Sequence, residues 1–541
     1  MCSEGVRRPM TAFSLLGTAR VGRLRSRLLF AGIYVPSRMI SARLEQTPRP
    51  PASRATHRLA HGDRVVVIGA GPAGLTLAYL LAREGVTVTV LEGSDTVGGI
   101  SQTARYKGYR FDIGGHRFFT KIAPVQALWE ELLGEDFIDV PRLSRILYDG
   151  TFFDYPLKPF SALAGLGAVE SVRVIASYTK SWLRRNGVEE TFEQWVVNRF
   201  GRRLYEIFFR TYTEKVWGIP CTEIRAEWAA QRIKGLSLAR ALLSASPLQH
   251  RYSDITSLID TFRYPRLGPG QMWEACRDRI TAEGGRILFS HRAERVECVD
   301  GMATAVVASH AGRSVRLEAE HVISSTDLQT LVQALGDEVP LAARTAAEGL
   351  RYRDFLVVAL ILEGEGLFPD NWIYVHTPGV QVGRVQNFNN WSAAMVSEPG
   401  RTCLGMEYFC FEGDGLWTAS DAELVALASR ELEMLGLAPH APVVDSTVVR
   451  TRKAYPVYDT KYRANLDGVR GFLDQIPNLH TIGRNGMHKY NNQDHSMYTA
   501  MLTVDNMLGR AEHDVWAVNT DLEYHEEQRY HGTAPDVAHA R

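Results

Sequence analysis

Two short apolar runs frame a helical stretch near the start of the ordered pattern. Arg64–Ile68 is almost entirely β-branched, as expected of a strand covered on both faces. Residues 75–83 then repeat apolar positions at helical spacing, and residues 86–91 form a second apolar run ending at Glu92. Between 121 and 253 the apolar residues recur at three- and four-residue steps. That spacing predicts helices over 123–133, 161–185, 192–209 and 224–244. Runs at 355–362, 372–376, 380–388 and 403–411 are alternating or wholly apolar and bounded by Gly or Pro, which predicts the strands of a sheet. Residues 420–435 read as an amphipathic helix. The segments 287–299, 322–327 and 478–484 read as strands returning to the first unit, and beyond Arg510 the chain turns polar.

Composition narrows the classes. A chain of 541 residues exceeds a single simple core, and 45% hydrophobic with 23% charged residues is ordinary for a globular protein. The formal net charge is zero, so no global field favours nucleic acid; an anionic ligand must be held by local arginines. The six cysteines show no paired or metal-ligand spacing, so no metal is expected, and the usage suits a reducing, cytoplasmic setting. No run approaches the roughly 20 apolar residues of a membrane span. Residues 1–62 are arginine-rich and lysine-free, and are expected to be a disordered or targeting tail.

The glycines carry the first chemistry. Gly69, Gly71 and Gly74 lie between the first run and its helix. Gly69 suits a tight turn, Gly71 lets backbone approach a pyrophosphate, and Gly74 lets helix pack on strand. The helix start then offers unpaired N–H groups to phosphate, and Glu92 is placed to accept from ribose hydroxyls. This is a Rossmann-type dinucleotide unit. A second glycine cluster follows, Gly98 with Gly99, then Gly114 and Gly115 before His116.

Glu92, Gly98 and Gly99, with Phe111 to His116, resemble the glutathione-reductase-type FAD proteins. These include amine oxidases, protoporphyrinogen oxidase, carotenoid desaturases and UDP-galactopyranose mutase. Three further patches are similar to the mutase: Thr191 to Trp195 with Phe209 to Pro220, Val382 to Trp391, and Gly483 to Ser496. The resemblance implies FAD held by Gly69, Gly71, Gly74, Glu92, Gly98, Gly99, Gly114, Gly115, Arg484, Gln493, Asp494 and Ser496, with His116 beside the flavin. It implies that Arg210 and Arg384 grip a diphosphate, and that Trp195, Tyr455, Tyr490 and Asn492 contact a nucleotide-sugar substrate. A guanidinium suits that task as a permanently charged fork of donors. The implied activity is a pyranose/furanose mutase using reduced flavin as covalent catalyst, with NAD(P)H as an external reductant. The alternative is an FAD-dependent oxidoreductase of the amine oxidase, protoporphyrinogen oxidase or desaturase type. This chain departs from the mutases at Trp391, where they have tyrosine, at Lys158, where the eukaryotic enzymes have glutamine, and over Gly486 to His488.

The expected fold is α/β. A flavin domain assembled from residues 63–120, 255–335 and 471–512 is interrupted by a helical insertion over 121–254 that lids the substrate. An antiparallel substrate-side sheet follows over 336–470, and a polar tail over 513–541. The expected partners are a nucleotide sugar and a second copy of the chain; neither nucleic acid nor a membrane span is expected.

Overall fold

The structure, a computed structural model, describes residues 57–157, 159–184, 187, 189–226, 228, 256–258, 261–519 and 527–529. Lys158, most of the helix expected over 224–244, and most of both terminal tails lie outside these residues.

Arg64–Ile68 is the middle strand of a five-stranded parallel sheet. Its order is Arg286–Leu288, Thr87–Leu91, Arg64–Ile68, His321–Ser324, Leu479–Thr481. Parallel neighbours require long crossovers, so these strands come from widely separated parts of the chain. Val65 and Val67 pack under the helices Pro72–Arg83, Gly270–Ala282 and Gln493–Met507, against Leu75, Met272 and Met497. Val66 and Ile68 point the other way, into a cluster with Val296 and Val306 of a three-stranded antiparallel layer. Alternation across one strand thus buries both faces, which is why Val65 to Ile68 are all apolar.

A seven-stranded sheet forms the other half. Its order is Val443–Pro456, Tyr352–Glu363, Arg401–Cys410, Arg384–Asn387, Trp372–Val375, Ser144–Tyr148, Thr151–Asp154. Two features differ from the sequence reading. Ser144–Tyr148 and Thr151–Asp154 lie inside the stretch expected to be helical, yet they close this sheet's edge. The pairing of Trp372–Val375 with Ser144–Tyr148 is parallel, so the sheet is mixed rather than antiparallel throughout.

The helix Ala123–Leu133 falls where its periodicity placed it. The longer patterns break at glycines with positive φ. One separates Pro159–Leu166 from Ala168–Leu183 at Gly167 (φ +79°), and another ends Phe192–Phe200 at Gly201 (φ +81°). A Cβ at Gly201 would lie 2.7 Å from the Tyr178 Cα, so that glycine also permits a close helix crossing.

Candidate active site

One cavity of about 1250 Å³ runs from the glycine turn after Arg64–Ile68 to the face of the seven-stranded sheet. At its dinucleotide end Gly69, Gly71, Glu92 and Gly99 line the wall. A Cβ at Gly71 would meet no protein atom within 4 Å, while one at Gly99 would stand 3.4 Å from the Gly71 Cα. The backbone there is bare toward the cavity, at the N-terminus of the twelve-residue helix Pro72–Arg83. That is the cradle a pyrophosphate needs. Glu92 accepts from the Ala70 N–H at 2.8 Å, and from the N–H and hydroxyl of Ser94 at 2.9 and 2.8 Å. It therefore ties the two turns together and retains acceptor capacity toward the cavity. Gly74 and Gly98 do not line the cavity; Gly74 allows the helix to touch the Gly69 carbonyl, and Gly98 (φ +104°) turns the backbone beside Trp273.

Midway along the cavity, Gly114 (φ +98°), Gly115 and His116 form one wall. Arg484, Gln493, Asp494 and Ser496 also face it, the last three in the first turn of Gln493–Met507. Burial, and next the charge of Arg484, push the His116 imidazole down to about 3. It is neutral at working pH, and its Nδ1 is buried without a hydrogen-bond partner in the protein. Arg484 donates through Nε to the Ala454 carbonyl and through Nη1 to the Asn491 carbonyl, both at 3.0 Å. Its Nη2 is buried and meets no protein acceptor.

The strand register builds the far end. Arg384 stands directly opposite Tyr374 on one side and Glu407 on the other. Glu407 is fully buried and pairs with Arg384 while also accepting from Gln386. The Arg384 Nη2 donates to the Tyr455 hydroxyl at 3.1 Å. Arg484 lies over the same Tyr455 ring at 4.9 Å and over Tyr490 at 4.1 Å. Two guanidinium groups therefore bracket one tyrosine, and both act electrostatically on His116. Asn492, at the N-cap of the last helix, lines the same region.

Two residues expected in the site are elsewhere. Arg210 does not line the cavity; its side chain is 56% exposed and pairs with Glu214 at 3.3 Å, one helical turn on. Trp195 is buried in the helical core, with Arg199 stacked 3.9 Å over its ring. Both follow from helical phase, because the Trp195 face packs inward and the Arg210 face meets solvent. Trp391 lines the cavity with its indole N–H held by the Asn371 carbonyl at 3.0 Å.

The sequence reading missed several lining groups: Glu407, Gln386, Tyr155, Tyr212, Tyr374 and His376. Tyr212 stacks on His376 at 4.6 Å, and Tyr155 meets Tyr374 in a tilted pair at 4.4 Å. Burial raises the Tyr212 and Tyr455 hydroxyls, so both stay protonated donors. The signal available was the polar residue inside each apolar strand. Glu407 within Arg401–Cys410 has no place in a core unless paired.

The Arg384–Glu407 pair yields a direct test. Arg384→Ala strands a buried carboxylate and is expected to cost about 3–5 kcal/mol in urea denaturation. The double variant Arg384→Met with Glu407→Leu should recover most of that stability while losing the polar wall. Full additivity of the losses in Arg384→Met and Glu407→Leu made singly would mean that the groups do not interact.

The family model described as "Flavin containing amine oxidoreductase" matches residues 72–485. The chain belongs to that family. A probable UDP-galactopyranose mutase of Klebsiella pneumoniae is 26% identical over 227 residues, covering 40% of this chain and 54% of that protein. An L-amino-acid oxidase of Crotalus adamanteus is 52% identical over 58 residues, 11% of each chain. The match thus spans about half of the first of these relatives and a ninth of the second. The crystal structure of a reduced UDP-galactopyranose mutase superposes with a TM-score of 0.75 at 22% identity, covering 86% of this chain and 98% of that one. This is a likeness of fold. Family membership implies FAD, and the bare glycine cradle, Glu92 and the polar groups of the cavity fit it. Among the described residues no cluster fit to hold a metal ion occurs, and no helix is long and apolar enough to cross a membrane.

Proposed function

We propose that this family member is an FAD-dependent pyranose/furanose mutase acting on a nucleotide-linked sugar. The observation that carries the reading is the pair of guanidinium groups, Arg384 and Arg484, bracketing Tyr455 on the wall shared with His116. Arg484 takes the place that the sequence reading gave to Arg210. When bound, reduced flavin supplies the nucleophile, and the chain's task is to orient the sugar and receive the leaving diphosphate. The buried Arg484 Nη2 donor is available to a phosphate oxygen. Tyr455, its hydroxyl held by Arg384 and its ring stacked on Tyr490, offers a neutral donor beside it, while neutral His116 adds a hydrogen-bond partner and no competing charge. The aromatic walls exclude water, which strengthens each of these contacts.

A second reading, an FAD-dependent oxidoreductase, is favoured by Glu407, which offsets the Arg384 charge, and by the dense aromatic lining. Turnover separates the two. The mutase reading expects conversion of UDP-, GDP- or dTDP-hexopyranoses by dithionite-reduced protein, with no net change in flavin absorbance. Substrate-driven bleaching of the oxidised protein, with no isomerisation after reduction, would leave only the oxidoreductase.

A further inference from the structure

The helix Ala168–Leu183 is built to be covered, yet among the described residues it is not. Of its larger apolar side chains only Val174 is buried. Val169, Val172, Ile175, Trp182 and Leu183 are exposed by 69, 66, 47, 58 and 71%. Positions 169, 172, 176, 179 and 183 step by three and four along the helix, so Val169, Val172, Ala176, Thr179 and Leu183 form one stripe, flanked by Ile175 and Trp182. An isolated surface Leu needs no account, but a largely apolar stripe with a tryptophan at one end marks an interaction surface.

Charge decides what covers it. The exposed charged side chains of this helix and its C-cap are Arg173, Lys180 and Arg184, all basic, of which Arg173 pairs with Glu170. Its one acid, Glu170, is turned inward and pairs with Arg203 and Arg173. A second copy of the same face would bring two basic rims together, whereas an anionic surface complements them. An apolar stripe with an interfacial tryptophan and a cationic rim is the pattern of a helix lying in the plane of a bilayer. We propose that Ala168–Leu183 docks this enzyme peripherally on an anionic phospholipid bilayer. The preceding helix, Pro159–Leu166, contributes Ala162 and Leu163 to the catalytic cavity, so a docked bilayer lies one helix from the reaction site. The inference stands apart from the choice between mutase and oxidoreductase.

The test is flotation of the full flavin-loaded chain with vesicles of phosphatidylcholine alone or mixed with phosphatidylglycerol. Binding is expected only to the mixed vesicles, and should weaken as salt rises. Lys180→Gln and Arg184→Gln should each lower the partition coefficient about fivefold. Val172→Glu with Trp182→Glu should abolish flotation and leave turnover of soluble substrate unchanged. Equal binding to both vesicle types, or flotation indifferent to the glutamates, overturns the proposal. So does a dimer that Trp182→Glu dissociates without any vesicle binding, which assigns the face to a second copy. A Trp182 signal already shielded from iodide in the free protein, measured against Trp182→Phe, also overturns it.

Discussion

Gly74→Val is expected to yield a chain that purifies without flavin colour. A Cβ at Gly74 would stand 2.0 Å from the Gly69 carbonyl oxygen and 3.2 Å from Val67 Cγ1. Both neighbours are fixed by the central strand, so neither can yield as a flexible surface side chain would. The helix Pro72–Arg83 must lift away, and with it the N–H groups at its start. Core overpacking alone costs about 1–3 kcal/mol, and here the obstacle is backbone. Gly71→Ala is the informative contrast, because its Cβ meets no protein atom within 4 Å. It should fold with near-normal stability and bind flavin weakly, since the added methyl occupies the pyrophosphate's approach. Stoichiometric flavin in purified Gly74→Val, measured by absorbance after extraction, would overturn this account of the turn.

The second large effect is acid instability. Burial pushes the imidazoles of His116 and His376 down to about 3, and those of His321 and His488 down to about 4. In the unfolded chain each takes up its proton near 6.5. Between these values the unfolded state binds more protons than the folded one, so stability rises with pH. The contribution is complete above 6.5 and is lost as pH falls toward 4 and 3. Each such group adds a slope of about 1.4 kcal/mol per pH unit inside its window. Burial also raises the carboxyls of Asp112, Asp354 and Glu407, which favour the folded chain as pH falls and oppose part of this loss, so the net fall is smaller than the sum of the four imidazoles. Urea midpoints measured from pH 7.5 down to 4 should fall steeply below 6.5, and His488→Gln should flatten the fall by roughly a quarter. A midpoint that is level across this range would show that these imidazoles are protonated, and solvated, in the folded chain.

The flavin half was the more legible part of the chain. Its chemistry is carried by short local sequence, with Val65 to Ile68 as a strand, three glycines as a turn and Glu92 closing the unit. In each case the physical requirement sits within a few residues of the group that meets it. The substrate half was harder to read because its groups are paired across strands. Nothing near Arg384 in sequence announces Glu407; the register of Arg384–Asn387 against Arg401–Cys410 brings them together, as the reach of Val443–Pro456 brings Tyr455 to Arg384.

Arg210 shows where local reasoning fails. A motif can place an arginine on a helix, but which way it faces depends on how that helix rolls onto its neighbours. Packing of Ile207 and Phe208 inward leaves Arg210 outside with Glu214. The dinucleotide unit and the alternation of the strands were readable in the residues alone, because those depend on backbone conformation and on the faces of single elements. Which arginines share the cavity, which carboxylate compensates them, and which helix face is uncovered among the described residues came from packing. Those outcomes depend on register and helix rotation, and both are set by the summed burial of many distant side chains rather than by any one segment.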